Sequence, residues 1–149
     1  MSLTPDRIER SIDIDAPAER VFDLVSRAGW WINEGTITAN VLSVDGDVTT
    51  VTHVKYGSFR IRTVSHDPPR YVSFRWLGGE PAREIEPDPP STLVEFWVQD
   101  RPGGVTLKVR ESGFQALYED EDARRRNFDD NSKGWTEELE AARVYVEAL

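Results

Sequence analysis

The stretch Asp129–Leu149, DDNSKGWTEELEAARVYVEAL, decides the fold. Trp135, Leu139, Ala142, Val146 and Leu149 recur at alternating steps of four and three, the period of a helix with one apolar stripe. Glu137, Glu138, Glu140, Arg143 and Glu147 fill the remaining positions and read as a solvated face. Asp129, Asp130, Asn131 and Ser132 supply N-cap oxygens and negative charge for the positive end of the helix dipole. Gly134, inside such a helix, costs about 1 kcal/mol relative to alanine, which points to a close backbone approach beside Trp135 or to a helix that starts near it.

Upstream of this helix the chain reads as short strands. Residues 7–15 (RIERSIDID) alternate around Ile8, Ile12 and Ile14 as a half-buried strand does. Pro17 suits a first helical turn capped by Asp15 or Ala16, and Val21, Phe22, Leu24 and Val25 carry a helix to about Arg27. Gly29 ends it before Trp30 and Trp31. Strands follow near 36–44, 48–55, 58–66, 70–77, 92–99 and 105–111. The links Asp45-Gly46-Asp47, Tyr56-Gly57, Asp67-Pro68-Pro69 and Arg101-Pro102-Gly103-Gly104 carry turn chemistry, so an antiparallel meander connects them most simply. Residues 78–91 (GGEPAREIEPDPPS) hold four prolines and cannot be a ladder strand; a link of this length is a candidate lid.

The later strands carry a facing pattern. Phe59 and Ile61, then Val72, Phe74 and Trp76, then Val94, Phe96 and Val98, then Val105, Leu107 and Val109 share one apolar face. Arg75, Glu95 and Lys108 or Arg110 fall on the other, as a cross-strand charge ladder with Trp97 among the cations.

Length and composition bound the class. At 149 residues the chain reads as one domain, residues 1–149, with 38% hydrophobic and 30% charged residues, a soluble globular composition. No apolar run approaches the ~20 residues that span a bilayer, and no signal-peptide pattern opens the sequence, so a cytoplasmic location is expected. Cysteine is absent, which excludes disulfides and thiolate catalysis. The net charge of −9, from 18 basic and 27 acidic side chains, disfavours nucleic acid and anionic membrane as partners. The basic run Arg124–Arg126 follows Glu119–Asp122 and reads as a helical segment with locally paired charges.

In order along the chain, Ile12-Asp13-Ile14-Asp15-Ala16-Pro17 with Val21-Phe22, Trp30-Trp31, Pro69-Arg70-Tyr71-Val72 leading to Trp76, Thr106-Leu107 leading to Glu111-Ser112-Gly113-Phe114, and Gly134-Trp135 with Leu139 form a set of landmarks. That set resembles the START-like (SRPBCC), birch-pollen-allergen-like helix-grip fold. Within it, the sequence is similar to the activator of heat-shock-protein-90 ATPase homologue family. The resemblance implies an α+β fold: a curved, seven-stranded antiparallel sheet wrapped around a long C-terminal helix, with two short helices after the first strand. It further implies a cavity between sheet and helix. Members of the wider superfamily bind lipids, sterols or other apolar molecules, and some act as cyclases or dehydratases; fold alone does not choose among these.

The candidate ligand-pocket residues are Trp30, Trp31, His53, Phe74, Trp76, Phe96, Phe114, Trp135 and Leu139. Most are aromatics that serve core packing as readily as ligand contact. His53 shares parity with Val51 and is the titratable candidate, with no partner indicated by spacing. His66 reads as a turn residue. Glu34, beside the paired tryptophans, is a candidate polar anchor at the cavity mouth. No metal-ligand spacing, nucleophile elbow or phosphate loop occurs, so no metal, cofactor or catalytic residue is assigned. The reading is thus a binding protein for a small apolar molecule, rather than an enzyme, and either a monomer or a homodimer. The alternatives are a chaperone-associated protein-interaction module and a small cyclase- or hydrolase-like enzyme.

Overall fold

A computed structural model describes residues 5–77, 90–117 and 120–149. Among them, seven strands form one antiparallel sheet: β1 (Arg7–Ile14), β2 (Val41–Asp45), β3 (Val48–His53), β4 (Gly57–Asp67), β5 (Tyr71–Leu77), β6 (Ser91–Arg101) and β7 (Gly104–Ser112). Helix α1 (Ala18–Val25) follows β1, and α2 (Glu121–Glu147) closes the chain after a short 3-10 turn at Phe114–Ala116. The spatial order β1-β7-β6-β5-β4-β3-β2 is the expected meander, with the first strand returning to pair beside the last. Arg7 stands opposite Ser112 and Ile14 opposite Val105.

Alternation sets the faces. Val94, Phe96 and Val98 of β6 and Val105, Leu107 and Val109 of β7 are buried on the concave side. There they meet Trp135, Leu139, Ala142 and Val146 of α2 in one core. On the convex side Trp97 lies under Lys108 and Arg110, with Nζ and Cζ at 5.4 and 5.0 Å from its ring centre. The charge ladder keeps its expected Glu95–Arg110 step but not Arg75. Register puts Leu93 opposite Arg75 and Ser73 opposite Glu95. Charges therefore run from Glu95 through Arg110 (3.9 Å) to Glu9, which also holds Lys108 at 3.3 Å.

Three sequence expectations need correction. The final helix begins eight residues earlier than Asp129, at Glu121, capped by Asp120, whose carboxylate accepts from Ala123 N at 3.1 Å. Phe128 extends the apolar stripe by packing edge-on to Phe114 at 5.2 Å, and Arg124 pairs with Glu121 at 2.9 Å, so residues 121–128 gain both packing and charge support. Leu149 lies beyond the helix and is exposed. Second, one α-helix follows β1 where two short ones are expected. Gly29 adopts φ +71°, open at little cost to glycine, and a Cβ there would come 2.6 Å from Val51 Cγ2. The chain therefore turns down onto β3 and carries Trp30 and Trp31 in a series of turns. Third, β2 begins at Val41, not Thr36. Asn33 Oδ1 accepts from Thr38 N and Oγ1, and Asn40 Nδ2 donates to Ile32 O, so these side chains hold 36–40 as a loop. The proline-rich link proposed as a lid lies, at 78–89, outside the described residues.

Where β7 begins, an ideal Cβ on Gly104 would fall inside van der Waals contact with Ile14 O. Gly104→Ala is expected to push β1 from β7 and cost about 1–3 kcal/mol, the usual range for overpacking, read as a lower urea midpoint at unchanged slope.

Candidate functional site: a cleft beside the C-terminal helix

The interior is built around Trp31. Its ring centre lies 5.5 Å from Phe74 and 5.6 Å from each of Trp76, Phe96 and Trp135, so one indole bridges β5, β6 and α2. Trp30 packs on Phe96 at 5.4 Å. The polar edges of these rings are less well served. The buried Nε1 atoms of Trp30, Trp31 and Trp76 have no hydrogen-bond partner among the described residues, whereas Trp135 Nε1 donates to Glu111 at 2.9 Å.

Beyond this aromatic floor the helix does not cover the sheet. A cleft of about 620 Å³ opens there, within the size range of small-molecule sites. One wall is aromatic: Trp31, Tyr56, Phe59 and Trp76. The other is the flank of α2, where Arg126, Asp130, Lys133 and Glu137 stand around Gly134, with Trp135 beneath. Gly134 sits in mid-helix, and a Cβ there would meet nothing within 4 Å. Neither expectation for this residue describes its position: among the described residues no backbone approaches it, and the helix is already three turns old.

Two carboxyl groups on this side of the core were not legible as site residues. Glu138, assigned above to the solvated face, is only 5% exposed and borders the cleft. Its Oε2 accepts from Gly35 N at 2.9 Å and its Oε1 from Asn33 Nδ2 at 3.3 Å. Burial raises its pKa above the ordinary glutamate value, with these two donors opposing the shift. Glu111 is 0% exposed. Thr92 Oγ1 at 2.6 Å, Asn131 Nδ2 at 3.0 Å and Trp135 Nε1 at 2.9 Å surround it, and burial again raises its pKa. Asn131 and Trp135 also border the cleft, so Glu111 lies one side chain behind it. The spacing carried both signals. Position 138 is three residues after Trp135 and four before Ala142, on the apolar stripe, and 111 is the next inward position after Val105, Leu107 and Val109.

Of the nine candidate residues, Trp31, Trp76 and Trp135 border the cleft. Trp30, Phe74, Phe96, Phe114 and Leu139 lie in the packed core. His53 is buried at the end of β3, where Nδ1 accepts from Lys55 N and Tyr56 N at 3.0 and 3.2 Å, and its ring stacks on Tyr56 at 4.7 Å. It staples the β3–β4 turn. His66 lies in β4, edge-on to Phe22 at 5.4 Å, not in a turn. Glu34 is drawn to Lys55 at 2.7 Å, outside the cleft lining. Among the described residues no group of three or more His, Asp or Glu side chains is arranged to hold a metal ion, and no helix is long and apolar enough to cross a membrane.

A curved antiparallel sheet gripping one long terminal helix defines the helix-grip class. The chain belongs to the polyketide cyclase/dehydrase and lipid transport family, which it matches over residues 5–125. No curated protein matches the sequence. Solved structures share the fold at low identity. Protein MLL2253 from Mesorhizobium loti is 16% identical, with a TM-score of 0.71 over 95% of this chain and 97% of that one. DynU16, from the dynemicin biosynthetic locus, is 18% identical with a TM-score of 0.68, over 97% of this chain but 48% of its own. The Aha1 dimer from Colwellia psychrerythraea is 16% identical with a TM-score of 0.65, over 95% of this chain and 96% of that one.

Proposed function

We propose that the protein binds a small, largely apolar molecule in the cleft between the curved sheet and α2. The observation that carries this reading is the open volume itself: an aromatic wall of Trp31, Phe59 and Trp76 faces a helix flank left bare at Gly134. Family membership supports the same class of ligand. Three tryptophans border the space, so intrinsic fluorescence reports occupancy directly. Titration with neutral aromatic probes is expected to quench it saturably, and Gly134→Leu, which grows a side chain into the cleft, is expected to abolish the response. Gly134→Ala should leave binding intact and raise stability by up to about 1 kcal/mol through helix propensity. Saturable quenching that persists in Gly134→Leu would move the binding site elsewhere, and a flat titration of the parent protein would remove the reading.

A second reading, a cyclase- or dehydratase-like enzyme, draws support from Glu138, a buried carboxyl group on the cleft wall able to accept a proton from a bound molecule. The interaction module of the heat-shock-protein-90 activator type has the net charge of −9 and the fold likeness to Aha1 in its favour.

A further inference from the structure

We propose that the molecule held in this cleft carries a positive charge: an amine or quaternary ammonium head on an apolar body, with the head against Glu138 and the aromatic wall. This rests on the reading of the cleft as a ligand site and specifies the chemistry that site selects. Glu138 is nine-tenths buried, borders the cleft, and has neutral donors only; among the described residues no Lys, Arg or His lies within ion-pair distance of it. A desolvated carboxylate costs several kcal/mol unless a cation or strong donors offset it, and Glu138 borders the volume an incoming group would fill. Trp31, Phe59 and Trp76 line the same space, and aromatic rings attract ammonium groups most when water is excluded.

The two cations on the lining do not reverse this preference. Arg126 and Lys133 are exposed, on the outer flank of α2, while Glu138 is buried in the cleft wall. An apolar acid could meet them only at the mouth, and its body would bury Glu138 further without compensation. Counting lining side chains, Asp130, Glu137 and Glu138 outnumber Arg126 and Lys133, and the net charge of −9 draws cations toward the molecule.

Calorimetric titration of the full chain with three matched probes tests the proposal: 1-naphthylmethylammonium, 1-naphthylmethanol and 1-naphthoate. The ammonium is expected to bind about tenfold more tightly than the other two. Glu138→Gln, which keeps an acceptor for Gly35 N, is expected to erase that preference, bringing the ammonium's affinity down to that of the alcohol on the same variant. Alcohol or carboxylate binding as tight as the ammonium overturns the cation proposal and leaves the cleft reading standing, and this comparison on the parent protein holds even if the variant fails to fold. A cation preference that survives in a folded Glu138→Gln protein also overturns it. Binding of none of the three overturns both.

Discussion

Trp31→Ala is expected to lower stability by about 3–5 kcal/mol, the range for truncating a fully packed large aromatic. The indole is 4% exposed and touches five other rings, four of them on two strands and the helix. Its removal leaves Phe74, Phe96 and Trp135 facing a void that the surrounding sheet, fixed by its hydrogen-bond ladder, cannot close. Each ring pair also loses the edge-to-face attraction that adds to area burial. A native-state stability of 5–15 kcal/mol makes this a large share of the total. The urea midpoint measures it, with Trp31→Phe expected to recover most of the loss. If Trp31→Ala unfolds within 1 kcal/mol of the parent, Trp31 is not the keystone described above.

Glu111→Ala is expected to cost as much, about 3–5 kcal/mol, for a different reason. It strips the acceptor from Trp135 Nε1, Asn131 Nδ2 and Thr92 Oγ1, and the two of these residues that are buried, Trp135 and Thr92, carry a desolvation penalty when stranded. Glu111→Gln separates hydrogen bonding from charge. Its amide oxygen still accepts from Trp135 and Asn131, and its NH2 can donate to Thr92 Oγ1. Because burial raises the Glu111 pKa, the folded protein holds this proton more tightly than the unfolded chain does. The associated stability is complete below the ordinary glutamate pKa and is lost as pH rises through the folded value. Glu111→Gln therefore gains on the parent as pH climbs from 4 to 8, while Glu138, shifted in the same direction, contributes equally to both proteins. Parallel stability curves across that range would mean Glu111 stays ionised, carried by its three donors.

Strand alternation made the sheet readable. Val94, Phe96 and Val98 against Glu95 and Trp97 give the face of β6, and the turn residues give its neighbours. The helical character of Glu121–Asn127 showed in its paired charges, but its continuity with the final helix was hidden, because that rests on a capping aspartate and on Phe128 against Phe114, a contact no periodicity reports. For the site, alternation reached the aromatics but could not rank them: Trp31 and Trp76 reach the cleft while Phe74 and Phe96 do not, because depth under α2 depends on where the helix lies. Residue type also misled. Glu138 occupies an apolar-stripe position, yet it reads as surface because glutamate almost always is, and Glu111, at an inward position, enters the sequence reading only as a landmark. A carboxylate that breaks an apolar pattern in phase with it deserves to be read as buried and partnered. His53 had the inward parity and proved to be a turn staple, since its Nδ1 accepts from the backbone N–H groups it happens to face.

The pairing of β1 with β7 bears on how the molecule is made. Ile14 cannot meet Val105 until some ninety further residues have been polymerised, a wait of roughly 5–20 s at ribosomal speed. Through that interval the isoleucine row Ile8, Ile12 and Ile14 has no sheet to join, while β2 to β6 can zip up as successive hairpins. The opening strand is thus the stretch most open to capture by a holdase, and nascent-chain crosslinking at Ile12 should fade as β7 leaves the exit tunnel.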